Sequence, residues 1–264
     1  MSTRADRIIQ LNNISPEASL LHRDRDPERT TERYSEIDHL AVVELLNASG
    51  WLIQEYVQIK PQKPERKQFV QWMASYRNPK FLPLGTSLVP IIVQEGSHDG
   101  STPLQLSFGL KDLGTNTVLL SGEKTCPEFR FKHKGDVPDV NALELNIRMA
   151  LINAGQVQLD YQKMQGTQLT AEELIKFAKR CAALRFDPEK YTVNVYDLVR
   201  QDTLNLWDQF VHIQGVLLKA KTLKVFLNKQ QKHRKMKALN HISATVKLKK
   251  DLWDLTLDFC PTTL

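Results

Sequence analysis

Cysteine is scarce in this sequence, and long apolar runs are absent. The three cysteines, Cys126, Cys181 and Cys260, are far apart and form no Cys-x-x-Cys pair. We therefore expect reduced thiols, with no disulfide framework and no zinc site. No segment approaches the roughly 20 apolar residues of a transmembrane helix, and the first residues lack the apolar core of a signal peptide. These absences predict a cytoplasmic protein that does not enter a membrane.

Acidic residues are missing from one long stretch. Between Gln209 and Lys250 there is no Asp or Glu, whereas eleven Lys and Arg residues give this basic tract a charge of +11. Because the whole chain carries +6, the remaining residues sum to 6 − 11 = −5. A block of one sign is typical of a surface that binds a polyanion such as nucleic acid. The alternative is a basic face that only contacts solvent.

Common catalytic and nucleotide-binding motifs are also absent. No GxGxxG, HExxH or GxSxG occurs, and the segment Gly122-Glu-Lys-Thr125 matches only the tail of a phosphate-binding loop. No cofactor is therefore predicted. His98 and Asp99 would form a weak metal-binding pattern with His133 if their strands were adjacent. A structural role for the turn that holds His98 is the favoured interpretation.

The first half of the chain alternates apolar and polar residues with the period of two that marks β-strands. Six strands are predicted in residues 51–60, 69–77, 88–95, 104–110, 117–121 and 128–133. A helix is expected before them, over Glu36 to Asn47, with Ser35 as its N-cap and Gly50 just past its end. Pro90 predicts either that its strand is an edge strand or that the strand begins at a bulge. We therefore predict that these six strands form one antiparallel sheet.

The second half changes to the helical period of 3.6 near Pro138. Helices are predicted over Val140 to Met164, after the capping box Thr170 to Glu173, after Asp202, and over Leu252 to Phe259. Strands followed by helices predict an α+β fold, with the C-terminal helices packed on the N-terminal sheet. We expect a charged arm over 1–33, a helix-and-sheet region over 34–138 and a helical region over 139–264, the last two packed as one domain.

A polar turn in the middle of the sheet carries the most distinctive motif. Gly96-Ser97-His98-Asp99-Gly100-Ser101 lies between two strands, and Gly100 can supply a positive φ. The turn places a histidine, a carboxylate and hydroxyls at what the sequence predicts is an exposed position. The Ser-His-Asp-Gly residues, Ser97 to Gly100, are named the SHDG turn.

An ordered series of motifs makes the chain resemble a known family. After the SHDG turn come Phe108-Gly109-Leu110, Phe177-Ala178 to Leu184-Arg185, Leu206-Trp207 to Gln214, and Leu252-Trp253. In this order they resemble the phage/plasmid-like proteins, a mobile-element family of unknown function, over about residues 34 to 255. Val211 and Gly215 stand where that family usually has Asn and Glu, which argues against an enzyme. The resemblance implies a bacterial host cell.

A looser topological similarity links the chain to the ring-forming single-strand annealing proteins of recombination. Together with the basic tract, it favours a non-enzymatic, homo-oligomeric protein that binds and anneals single-stranded DNA. Trp72 and Tyr76 are the residues suggested for base stacking. The predicted phosphate contacts are Lys60, Lys63, Arg66, Lys67, Lys132, Lys134, Lys219, Lys221, Lys224, Lys229, Lys232, Arg234, Lys235, Lys237 and Lys247.

Two other functions stay open. One is a metal-dependent nucleic-acid enzyme centred on His98, Asp99 and His133. The other is a mobile-element protein that binds a host protein, for example one of a defence complex. Metal dependence separates the first from the annealing hypothesis, and a steep dependence of binding on salt separates the second from it.

Overall fold

The structure is a computed structural model. It describes residues 12, 15, 18–21, 30, 37–61, 63–84, 87–126, 129–131, 140–220, 223–228, 232–234 and 236–261. The chain folds into two compact units. The N-terminal unit comprises Met1–Val118 and Cys126–Gly155, and the C-terminal unit comprises Leu119–Thr125 and Gln156–Leu264. Packing of the sheet and the helical region as one domain stays a prediction.

A six-stranded sheet dominates the N-terminal half of the chain. Its order is β1-β2-β3-β4-β5, and β6 pairs with β4. The β1–β2, β2–β3, β3–β4 and β4–β6 pairs are antiparallel. The strands are β1 (Leu52–Gln58), β2 (Trp72–Arg77), β3 (Leu88–Gly96), β4 (Leu104–Asp112), β5 (Thr117–Leu120) and β6 (Phe129–Phe131).

Strands β3 and β4 form the centre of this sheet. Almost every residue in both is buried, so both faces of the sheet are covered at this point. The prediction that Pro90 marks an edge strand is wrong, because β3 lies between β2 and β4. Pro90 is tolerated because the β2–β3 pairing ends at Tyr76 and Ile92. Its missing N–H therefore lies beyond the part of β3 that β2 pairs with.

Helix α1 (His39–Ala48) precedes the sheet. The predicted helix was correct in kind, but its start was not. Asp38 is the N-cap, and its Oδ1 accepts a hydrogen bond of 3.0 Å from the N–H of Ala41. Gly50 follows the helix with a φ of +85°, as the sequence predicted, since glycine adopts this left-handed conformation without steric cost.

Parts of the N-terminal arm pack on the arm's own chain. Leu20 lies in a 3-10 turn (Ser19–Leu21), is fully buried, and donates its backbone N–H to the Tyr56 hydroxyl at 3.2 Å. The Asn12 side chain accepts from the N–H of Ile53 at 2.7 Å. These described arm residues are therefore held without a neighbouring subunit. The sequence also predicts a short helix near Ile8 to Leu11, which lies outside the described residues.

Four further helices follow. They are α2 (Val140–Gly166), α3 (Ala171–Ala183), α4 (Leu206–Lys219) and α5 (Ile242–Leu257). The capping box at α3 is confirmed, because the Thr170 hydroxyl accepts from the N–H of Glu173 while the Glu173 carboxylate accepts from the N–H of Thr170. The predicted cap of α4 at Asp202 is wrong. Asn205 caps it by accepting from the N–H of Asp208 at 3.2 Å.

Aromatic side chains form the core of the C-terminal unit. Trp253 of α5 is fully buried and lies edge-on to Trp207 and Phe210 of α4. Its indole N–H donates to the Thr125 hydroxyl at 2.9 Å, and that hydroxyl donates to the Asp160 carboxylate at 2.5 Å. The buried polar groups are thus paired within the core, as buried donors require.

A second, three-stranded sheet was not predicted. It has the order β7-β8-β9 and is antiparallel throughout. The strands are β7 (Tyr191–Val193), β8 (Val225–Leu227) and β9 (Lys232–Arg234). With the sheet in the N-terminal half and helices in the C-terminal half, the predicted α+β class is confirmed. Among the helices that the structure describes, none is long and apolar enough to cross a bilayer.

Candidate nucleic-acid interface

The small sheet of the C-terminal unit carries a row of three exposed side chains. Thr192 of β7 pairs in register with Phe226 of β8, and Phe226 pairs with His233 of β9. Directly opposed residues share one face of a sheet, and all three side chains are exposed. The rings of Phe226 and His233 lie 5.7 Å apart with an interplanar angle of 73°. We name Thr192, Phe226 and His233 the sheet row.

Hydrogen bonds hold this sheet at both ends. The Asn228 amide nitrogen donates to the carbonyls of Pro188 and Glu189 at 3.0 and 3.1 Å, and the Thr192 hydroxyl donates to the Asn228 side-chain oxygen at 2.8 Å. At the other end the N–H of Lys224 donates to the Asp197 carboxylate at 3.1 Å. The sheet row is therefore built on a fixed support.

The basic tract folds back on itself around this sheet. Lys219 ends α4, and the N–H of Leu239 donates to the carbonyl of Leu218 at 2.9 Å, which brings the segment after β9 back to the end of α4. The carbonyl of Lys237 accepts from the Arg185 guanidinium at 2.6 Å. The side chains of Lys219, Lys224 and Lys237 are all exposed. Cations that are far apart in sequence therefore lie on one region of the C-terminal unit.

Other members of the tract contribute less free charge. Lys247 is exposed, but its ammonium pairs with the Asp251 carboxylate at 2.5 Å, one turn along α5. Lys250 is buried, at 8% exposure. Lys232 and Arg234 lie on either side of His233 in β9, and the structure describes only their backbone. Lys221, Lys229 and Lys235 lie outside the described residues.

The second predicted group of cations belongs to the N-terminal unit. Lys60 and Lys63 are exposed in the connection between β1 and β2. Arg66 and Lys67 lie in the 3-10 turn of that connection, and nothing is described of their side chains. Lys132, Lys134 and His133 are outside the part of the chain that the structure describes. From the sequence we also predict that these cations and those of the basic tract form one phosphate-binding groove, and this stays a prediction.

The suggested base-stacking residues are wrong. Trp72 and Tyr76 are both fully buried. The Trp72 ring packs against the edge of His39 and stacks on Tyr56, while the Tyr76 hydroxyl donates to the Gln94 amide oxygen at 2.5 Å. Burial of Tyr76 also raises its pKa well above the ordinary value, because the phenolate would lose its hydration. Neither ring has a face for a nucleobase.

The SHDG turn is a closed structural unit rather than an open loop. The Ser97 hydroxyl accepts from the N–H of Thr102 at 3.0 Å, and the Asp99 carboxylate accepts from both the N–H and the hydroxyl of Ser101. Ser97 and His98 are buried, which corrects the expectation that the turn exposes its histidine. The turn therefore uses most of its polar groups to hold its own shape.

The metal hypothesis for His98 and Asp99 has no support in the described residues. The His98 ring is 1% exposed and lies 5.0 Å from the His39 ring, edge to face. The described residues contain no cluster of three His, Cys, Asp or Glu side chains able to hold a metal ion. His98 is packed into the N-terminal unit, so we expect His98→Ala to leave a cavity.

Gly100 gives a test of the turn's conformation. Its φ is +71°, which a β-branched side chain adopts only under strain. We expect Gly100→Val to lower the free energy of unfolding by about 1–3 kcal/mol, as measured by urea denaturation. Gly100→Asn is the matched control, because asparagine tolerates the left-handed region, and it should cost clearly less. Equal stability of the two variants would contradict this account.

The segment Gly122-Glu-Lys-Thr125 binds an anion, but an internal one. The backbone N–H groups of Glu123 and Lys124 donate to the two oxygens of the Asp254 carboxylate at 3.0 and 3.2 Å. A Cβ at Gly122 would lie 2.1 Å from this carboxylate. Partial burial raises the pKa of Asp254, while the two N–H groups oppose that rise. These backbone N–H groups already donate to Asp254 and are therefore not available to bind a phosphate.

A polar cleft of about 670 Å³ lies beside this segment. The Asp258 carboxylate pairs there with the Lys124 ammonium and with the Arg180 guanidinium, the latter at 2.9 Å. Hydrogen bonds from Lys124 and then Arg180 hold the pKa of Asp258 below its ordinary value. Burial raises the pKa of the Cys260 thiol at the cleft wall. The charges of this cleft largely neutralise one another, so it does not extend the basic surface.

Comparison with known proteins gives a family and no function. No curated protein and no solved structure matches the chain. One family matches over residues 28–253, and it is described as a domain of unknown function (DUF932). Since the match covers most of the sequence, the chain belongs to the DUF932 family.

Proposed function

We propose that this chain is a non-enzymatic protein that binds and anneals single-stranded DNA in the recombination of a phage or plasmid, and that it acts as a homo-oligomer. The observation that carries the proposal is the convergence of exposed Lys219, Lys224 and Lys237 around the small sheet, within a stretch free of acidic residues. Each lysine that neutralises a phosphate releases condensed counterion, which favours binding. The family resemblance supports the mobile-element origin.

The arrangement also suits strand binding without base recognition. Phosphate contacts fix the position of a strand and carry no sequence information. We therefore propose slight sequence preference, with the N-terminal cations, among them Lys60 and Lys63, as a second phosphate-binding surface. Size-exclusion chromatography with light scattering, with and without an oligonucleotide, measures the assembly. A monomeric mass under both conditions would contradict the proposed oligomer.

A salt titration on one single-stranded oligonucleotide tests the function. With about four to six phosphate contacts, the slope of log K against log salt should be about −3 to −4. Replacing Lys232, Arg234, Lys235 and Lys237 with alanine should flatten this slope by up to about 3, because each lost contact removes about 0.7. The fold should remain intact, which a thermal denaturation curve checks.

The matched control makes the same change of charge elsewhere in the C-terminal unit. Lys163, Lys176, Lys179 and Arg180 are exposed on α2 and α3. Their fourfold replacement with alanine should leave the slope close to that of the natural chain. Equal flattening in both variants would show that net charge alone drives binding. Absence of binding by the natural chain at low salt would remove nucleic acid from the function and favour a protein partner.

A further inference from the structure

An apolar ring on the open face of the small sheet is partly exposed to solvent. Phe226 lies on β8, the central strand, and is 36% exposed. Its cross-strand neighbours Thr192 and His233 are exposed too, so the whole sheet row meets solvent. The adjacent position on the same strand, Val225, is fully buried. The sheet thus buries one face against its unit and leaves the sheet row, with its two rings, on the other.

A second exposed aromatic residue lies at the end of this sheet. Tyr196 is 66% exposed in the 3-10 turn Val195–Asp197. That turn and the residue before it bind both backbone groups of Lys224, because the N–H of Asn194 donates to the Lys224 carbonyl at 3.1 Å and Asp197 accepts from the Lys224 N–H. An aromatic side chain and an exposed lysine are therefore held at one end of β8.

Single-stranded nucleic acid can bind to aromatic faces and nearby cations at the same time. Every nucleobase has a π-face, and stacking on an aromatic side chain is favourable whatever the base. Lysines beside the rings can hold the phosphates, and here the exposed Lys224 lies two residues before Phe226, directly before the start of β8. In a duplex the bases are already stacked and paired, so only the phosphates can reach this surface.

We propose that the sheet row is a base-stacking platform, with Phe226 as its central contact, that makes binding selective for single strands over duplex. This proposal rests on the proposed function and assigns the stacking contact to residues other than Trp72 and Tyr76. The hydrogen bonds of Asn228 and Lys224 favour this proposal, because they order the platform before single-stranded DNA binds.

The test compares Phe226→Ala with the natural chain on a single-stranded oligonucleotide and on a duplex of the same length. Losing one stacked base should raise the Kd for the single strand about 5- to 150-fold. The Kd for the duplex should stay within about twofold, and the salt slope should not change, because no phosphate contact is removed. Phe226→Tyr keeps the ring and should bind like the natural chain. Tyr196→Ala should give a separate loss on the single strand.

An abasic oligonucleotide separates stacking from other effects. The natural chain should bind it at least as weakly as Phe226→Ala binds the normal strand, and Phe226→Ala should bind the abasic strand about as well as the natural chain does. Thermal denaturation checks that Phe226→Ala is folded. Salt-dependent binding of the natural chain with an unaffected Phe226→Ala would overturn the platform and leave the proposed function standing. Absence of binding by the natural chain to either oligonucleotide at low salt would overturn both.

Discussion

Gly122→Ala is expected to lower the free energy of unfolding by about 2–4 kcal/mol. A Cβ at this position would lie 2.1 Å from the Asp254 carboxylate, so the carboxylate has to move. Moving it breaks the hydrogen bonds from the backbone N–H groups of Glu123 and Lys124. Urea denaturation followed by circular dichroism measures the loss.

The control for this substitution is another glycine of the C-terminal unit. Gly215 lies within α4, and a Cβ there would have no neighbour within 4 Å. Gly215→Ala should therefore raise stability by about 0.5–1 kcal/mol, because alanine is the better helix former. The same amino-acid change thus has opposite expected signs at the two positions.

A double-mutant cycle identifies the cause of the Gly122 effect. Asp254→Ala removes the atoms that the new Cβ would meet, so Gly122→Ala should cost clearly less in that background. If Gly122→Ala had the same cost with and without Asp254, the clash would not be its origin. If it had no cost in the natural chain, the contact between this segment and Asp254 would not form.

The α+β class could be predicted because the hydrophobic period extends over long stretches of the sequence. The change of period near Pro138 is repeated over many residues on both sides of it, and the capping box at Thr170 fixes the start of α3 by local chemistry. The start of α1 and the cap of α4 were misplaced by a few residues. Several polar residues near each start can act as an N-cap, and tertiary packing decides which one does.

The small sheet could not be predicted because its strands are too short to show a period. Each of β7, β8 and β9 has three residues. The basic residues within and around β8 and β9 also dominate that stretch, so charge rather than alternation determined its interpretation. Phe226 was therefore not predicted as a base-stacking residue. The signal in the sequence is an aromatic residue that lies between Lys224 and Lys229.

The cations of the proposed site stay a prediction from the sequence, whereas the prediction that Trp72 and Tyr76 stack on bases is wrong. Alternation in β2 places Trp72 and Tyr76 on one face, but it does not show whether that face meets solvent. In the structure both rings are buried. A sheet that is covered on both faces shows the same alternation when polar side chains lie on its second face. Ser75 of β2 and Ser107 of β4 are such side chains, and both are buried.

Trp72→Ala is expected to lower the free energy of unfolding by about 3–5 kcal/mol. The ring is fully buried between the His39 and Tyr56 rings, and its Cζ2 atom lies 3.1 Å from the position of a Cβ on Gly96, so its removal leaves a cavity that tightly packed neighbours cannot fill. Urea denaturation measures this cost, and Trp72→Phe, which keeps an aromatic ring, should lose clearly less.

The same variants separate a core role for Trp72 from a binding role. Under conditions where Trp72→Phe remains folded, its Kd for a single-stranded oligonucleotide should equal that of the natural chain, since no base reaches a buried ring. Phe226→Ala should show the reverse, with stability retained and single-strand affinity lost. A stable Trp72→Ala variant with weakened binding would return the stacking contact to β2 and remove it from the small sheet.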